Sequence, residues 1–200
     1  MRVTKYLMAV VLIVAAGTGA MIAQEKGGRG KGGGKGKGGG GIPAPLVLTV
    51  EGYADGSAMP ASIGCAHGNM AVSPKIDWSG APAGTMSFAV ILHDTDVDIN
   101  GEDVLHWAIF NIPGTAAGLP AHVANTPELP DGARQLNNIG RSPGFMGPCP
   151  PPPTVHHYII EAYALGSKLD VPATASRAEL MAAMKGHVRA KGTYTGTYKQ

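Results

Sequence analysis

The residues of this chain that could do chemistry sit in three short stretches. Gly144–Leu165 reads GFMGPCPPPPTVHHYIIEAYAL: a glycine-bounded turn, four consecutive prolines, two histidines and a run of strand formers. Pro150 to Pro153 fix φ and remove backbone donors, so they form a stiff wall that is neither helix nor central strand. His156 and His157 open the strand behind that wall, which aims one imidazole back at a rigid loop. Such a loop facing a histidine is a pre-formed pocket for something small and anionic. The second stretch, Val104–Asn111 (VLHWAIFN), is a buried-strand sequence with one misfit, His106. By alternation His106 shares a face with Val104, Ala108 and Phe110, and alone it reads as a hydrogen-bonded core histidine. The third is His93-Asp94-Thr95-Asp96-Val97-Asp98. Alternating carboxylates at a strand exit offer calcium oxygen ligands, but the glycine and distal glutamate of an EF-hand loop are missing. Aspartate-rich strand exits are also ordinary turns.

These residues need a β framework. Leu46–Glu51 alternates and is rich in strand formers. Met86–Leu92 (MSFAVIL) is almost continuously apolar, as a strand covered on both faces is. Tyr158–Leu165 and Tyr194–Tyr198 complete the set, while residues 115–143 read as loop. Helical period appears only near the end. Ser176 is an N-cap with Glu179 at the capping-box position, and Leu180, Met181 and Met184 form an apolar stripe that Gly186 or Gly192 ends. The fold class is therefore mainly β, with a C-terminal helix and strand.

The composition divides the chain. In residues 1–23, Arg2 and Lys5 precede an apolar run and then a small-residue zone, the pattern of a secretory signal cleaved after Ala20 or Ala23. Read instead as an uncleaved anchor, that run is too short for a stable membrane span. Residues 24–41 are a flexible linker: Gly27–Gly41 holds eleven glycines, four basic residues and nothing else. Its charge could touch nucleic acid or anionic lipid, but no aromatic residue is interleaved for stacking. Residues 42–200, one domain, carry nine Lys and Arg against thirteen Asp and Glu, a net of −4. That balance offers no basic surplus for nucleic acid. Cys65 stands in a turn-rich stretch and Cys149 in the proline loop. Two cysteines in an exported chain read as one disulfide, and one per distant loop does not make a zinc site.

SPKIDW, HDTDVD, LHWAIFNIPG, GPCPPPP…HHY and AELMAAMKGHVRAKGTYTGTY, in that order over residues 44–200, resemble the phosphatidylethanolamine-binding protein family, in its bacterial, Raf-kinase-inhibitor-like branch. The resemblance implies an antiparallel β-sandwich with small peripheral helices and one shallow anion pocket at the ends of central strands. Asp94 and Asp96 resemble the aspartates of the family's DPDAP motif, and His106 the histidine of its HW motif. Gly147, Cys149 and Pro151 fall in its glycine-proline loop, and His156 matches the histidine that opens the next strand. Thr95 and Val97 depart from DPDAP, His157 stands where an arginine is common, and Phe145 replaces a frequent tyrosine.

Asp94, His106, Gly147, Pro151 and His156 are thus the expected ligand-binding residues. Imidazoles beside a carboxylate tend to hold protons, and amides at a glycine turn can donate to oxyanions. The function expected is an exported binding protein for phosphate-type head groups, phosphoethanolamine or phospholipid-like. A regulatory or inhibitory role toward a protein partner is a further implication of the family. No cofactor, metal or catalytic residue is called for. Two enzyme readings compete: a Cys149–histidine nucleophile, which a disulfide to Cys65 would remove, and a metal-dependent hydrolase using His93, Asp94, His106 and His156.

Overall fold

Strands that must be covered on both sides dictate the layout. In the computed structural model, which describes residues 44–65 and 71–200, β5 (Ser87–Ile99) and β6 (Glu102–Pro113) form a long hairpin. Phe88 to Leu92 are buried without a break, and so are Trp107 to Phe110. Before them come β1 (Ala44–Pro45), β2 (Val47–Val50), β3 (Ser57–Ala58) and β4 (Ile76–Ser79). After them come β7 (Gly118–Leu119), β8 (Arg134–Gln135), β9 (His156–Leu165), α1 (Arg177–Met184) and β10 (Val188–Tyr198). The expected signal and linker lie outside the described residues.

The larger sheet runs β1-β10-β9-β5-β6-β8, with β3 also on β10, and the smaller runs β2-β4-β7. The long pairings are antiparallel; only two-residue β1 and β3 join β10 in parallel. Leu48, Val50, Ile76, Trp78 and Leu119 of the small sheet pack with Phe88, Val90, Leu92, Trp107 and Ile160 of the large one. This is the expected sandwich core. The opposite face of the large sheet, including Ala89, Ile91, Ala108 and Phe110, is covered by Leu180 and Met184 of α1 and by Leu169 and Val171. Ser176 caps α1 with a full capping box, as its spacing predicts. The helix stops at Met184, just before Gly186 at φ 82°. Residues 115–143 are not wholly loop, since β7 and β8 lie there.

Two irregularities in β6 matter for position. Asn111 takes φ 58° and bonds both ways with the Leu169 backbone. The register also shifts opposite Leu92 and His93, which pair with Trp107 and Leu105 and leave His106 as the extra residue. That is a β-bulge, and it overturns strict alternation. His106 keeps company with Val104 at one cavity, whereas Ala108 and Phe110 face the helix side.

Candidate functional site

Asp94 pairs with Tyr158 across β5 and β9, which brings His156, two residues away on the same face, to its carboxylate. His156 Nδ1 donates to Asp94 Oδ2 at 2.7 Å, and Asp94 Oδ1 accepts from the Asp96 amide at 2.9 Å. A second clasp lies beside the first: the backbone amide of His157 and its Nδ1, the latter at 2.9 Å, both donate to Asp96 Oδ2. The His157 amide is the main reason that Asp96 is held below the usual carboxylate range. The position where an arginine is common is thus filled by a histidine that still pairs with an aspartate. Thr95 adds a 3.2 Å bond from its hydroxyl to the His157 carbonyl.

His106 is locked from the other side. Its Nδ1 donates to the Met146 carbonyl at 3.0 Å, and the Met146 amide donates to the His106 carbonyl at 3.0 Å. Tyr158 backs both rings, edge-on to His106 at 5.3 Å and stacked on His156 at 6.5 Å between centroids. Burial lowers the proton affinity of His106 and outweighs both the Met146 carbonyl and the Asp94 charge. The expectation that His106 is biased toward holding a proton is therefore reversed: desolvation outweighs the carboxylate and disfavours the charged ring. The Tyr158 hydroxyl is buried between Asp94 and the Cys149 backbone, and burial, with the Asp94 charge beside it, pushes its ionisation far up.

The proline loop is pinned at several points. Asn125 accepts from the Phe145 amide at 2.9 Å and donates to its carbonyl at 3.1 Å. Asn138 donates to the Gly144 carbonyl. Cys65 and Cys149 are joined as a disulfide, as expected, and the Cys65 amide reaches the Pro148 carbonyl at 2.9 Å. With its sulfur bonded, Cys149 offers no thiolate, which removes the nucleophile reading.

These elements enclose a cavity of about 190 Å³ lined by Asp94, His106, His156 and Tyr158 on its polar side. Val97, Val104, Ile139, Met146, Pro150 and Pro151 give it an apolar rim, and among the described residues no lysine or arginine lines it. Of the expected residues, Asp94, His106, Pro151 and His156 are brought together. Gly147 lines an adjoining cavity that shares Met146, and its backbone lies against His106. It is packed so closely that an added Cβ would lie 2.4 Å from the Ile63 carbonyl. Tyr158 was missed by sequence reasoning, although alternation from His156 points to it; nothing local marks Met146 or Ile139.

His93 does not join this group. Neighbouring strand residues point to opposite faces, so His93 lies on the helix side. There its Nδ1 donates to Asp103 at 2.9 Å, and its Nε2 sits 3.8 Å from Glu161 without a hydrogen bond. The hydrolase reading required His93 beside Asp94, His106 and His156, and the strand separates them. Among the described residues no cluster of three or more histidine, cysteine or acidic side chains could hold a metal ion.

Fold and site together define a two-sheet β protein with a small, pre-formed pocket at the strand ends. Residues 49–199 match the family model for phosphatidylethanolamine-binding protein, and the chain belongs to that family. A "UPF0098 protein" of Methanothermobacter thermautotrophicus is 35% identical over 153 residues, covering 76% of this chain and 98% of that protein. LppC of Mycobacterium tuberculosis, named as a lipoprotein, is 31% identical over 158 residues, covering 76% of this chain and 73% of its own. The crystal structure of YbcL from Escherichia coli, described as a member of the mammalian PEBP family, superposes with a TM-score of 0.69 at 32% identity. That match covers 78% of this chain and 99% of YbcL.

Proposed function

We propose that this chain is an exported binding protein whose pocket takes phosphate-type head groups, free or on a small organic substituent, and that it catalyses no reaction on them. The signal-like N-terminus and a relative named as a lipoprotein support export. One observation carries the ligand reading: Asp94, His106 and His156 converge, with Nδ1 of each imidazole tied to the protein, at a cavity walled besides by Tyr158, Cys149, prolines and aliphatic groups. Such a cavity suits a compact polar head with an apolar collar around it.

Calorimetric titration of phosphate and phosphoethanolamine into the wild type, His106→Gln and His156→Gln tests this. Hydrogen bonds to charged groups contribute about 1.5–3 kcal/mol each, so each variant is expected to bind about tenfold to a hundredfold more weakly. If His106 were only a core histidine, its variant would lose stability yet bind normally while folded. Unchanged affinity in both folded variants rejects the pocket assignment.

A further inference from the structure

The Cys65–Cys149 bond lies where the proline loop meets both solvent and the strand-end cavity. Cys149 is exposed and lines that cavity beside Pro150 and Pro151, whereas Cys65 is half-buried. Exposed disulfides belong to the labile class that thiols open. Exchange requires a thiolate to approach one sulfur while the other departs as a thiolate. The two sulfurs differ in both respects. Approach is open at Cys149. Departure is helped at Cys65, because Gln200 Nε2 donates to Cys65 Sγ at 2.7 Å and stands 3.5 Å from Cys149 Sγ. A donor on a developing thiolate favours its charged form. The sulfur bridge is also not the only tie between the two segments. The Cys65 amide donates to the Pro148 carbonyl at 2.9 Å, and the Ile63 carbonyl packs against Gly147. Opening the bridge therefore leaves Cys65 beside Cys149.

We propose that Cys149 is an exchange site for small thiols, with Cys65 as the leaving thiolate and Gln200 as the donor that steadies it. The incoming thiolate forms a bond to Cys149 Sγ, the Cys65–Cys149 bond breaks, and its electron pair leaves on Cys65 Sγ. One disulfide is lost and one is formed, so no oxidant or reductant is consumed. The proton given up by the incoming thiol is balanced by the one that Cys65 can take. The mixed disulfide on Cys149 places the thiol's substituent at the mouth of the cavity. Held near by Pro148, Cys65 attacks Cys149 in return and expels the thiol, so the cap is reversible. A cavity of about 190 Å³ admits a compact substituent and no polypeptide, which favours a small thiol over a protein thiol. The site does not depend on which ligand the cavity takes.

The intact oxidised protein is incubated with mercaptoethanol, quenched in acid at intervals and alkylated under denaturing conditions, and peptide mass spectrometry locates each group. Early in the reaction mercaptoethanol is expected on Cys149 and the alkyl group on Cys65. The rate should rise in proportion to thiol concentration. It should also rise about tenfold per pH unit between about pH 6.5 and pH 8, as the thiolate fraction does. Both dependences mark attack on the folded chain. Gln200→Leu, an exposed position, is expected to slow opening about twofold to tenfold, the worth of one hydrogen bond, and to leave the modified residue the same. Mercaptoethanol found first on Cys65, or a Gln200→Leu rate equal to that of the wild type, overturns the assignment. So does a rate that levels off as thiol is raised, since the bond then opens only in the unfolded chain. Opening by a thioredoxin-type dithiol protein but not by mercaptoethanol overturns it as well.

Discussion

At the scale of single residues, the histidines carry the pH behaviour of the protein. Burial is the largest influence on both His93 and His106 and lowers the proton affinity of each. Between that lowered value and the ordinary histidine value of about 6.5, the unfolded chain binds more protons than the folded one. Stability is then complete above about 6.5 and declines as the pH falls below it. Asp96 and Glu161 have lowered values too, but their contribution is lost only at more acidic pH, so the two windows separate. Denaturant midpoints are expected to fall between about pH 7 and pH 5.5, and to fall less in a folded His93→Gln variant. Equal midpoints at the two pH values would count against this account. Residue types alone made Asp94, His106 and His156 legible. They could not distinguish His93 from Asp94, because which of two neighbours faces the pocket depends on the sheet around them. Nor could they show that burial would outweigh the carboxylate at His106, since desolvation depends on packing.

At the scale of elements, most strands and the capped helix were legible because their patterns are local. The bulge at His106 was not. It arises from how Leu92 and His93 register against Leu105 and Trp107, and no residue in VLHWAIFN announces it. The loop has a comparable hidden constraint at Gly147. Its amide was expected to serve the ligand, yet the tight contact is at its Cα, where an added Cβ would lie 2.4 Å from the Ile63 carbonyl and 2.7 Å from Ala71. Gly147→Ala is therefore expected to cost about 1–3 kcal/mol, as overpacking does, and to displace the Met146 carbonyl that fixes the His106 ring. Thermal unfolding reads the first effect and phosphate titration the second. A variant with wild-type stability and affinity would show that the loop has room to spare.

At the scale of the whole molecule, the strand sequence suggested a β protein and the family resemblance a sandwich, but the pairing order could not be read from either. Short β1 and β3 do not reveal that they join β10, since edge pairing leaves no periodic mark. The disulfide was legible from cysteine count and setting. It joins residues 84 apart, for which the chain-entropy model gives about 4–5 kcal/mol as an upper figure. Reduction is expected to lower the denaturant midpoint and to weaken phosphate binding, because Cys149 lines the pocket; identical midpoints with and without reductant would argue against a stabilising bond. A last consequence follows from the seat of β10. Ala44 pairs with Ala190, and Ser57 pairs with Gly196. β1 and β3 thus have no strand partner until some of the last residues have been made, whereas β2, between them, finds β4 early. Under the export proposed above, this late closure would leave one edge of the larger sheet open until the chain is nearly complete.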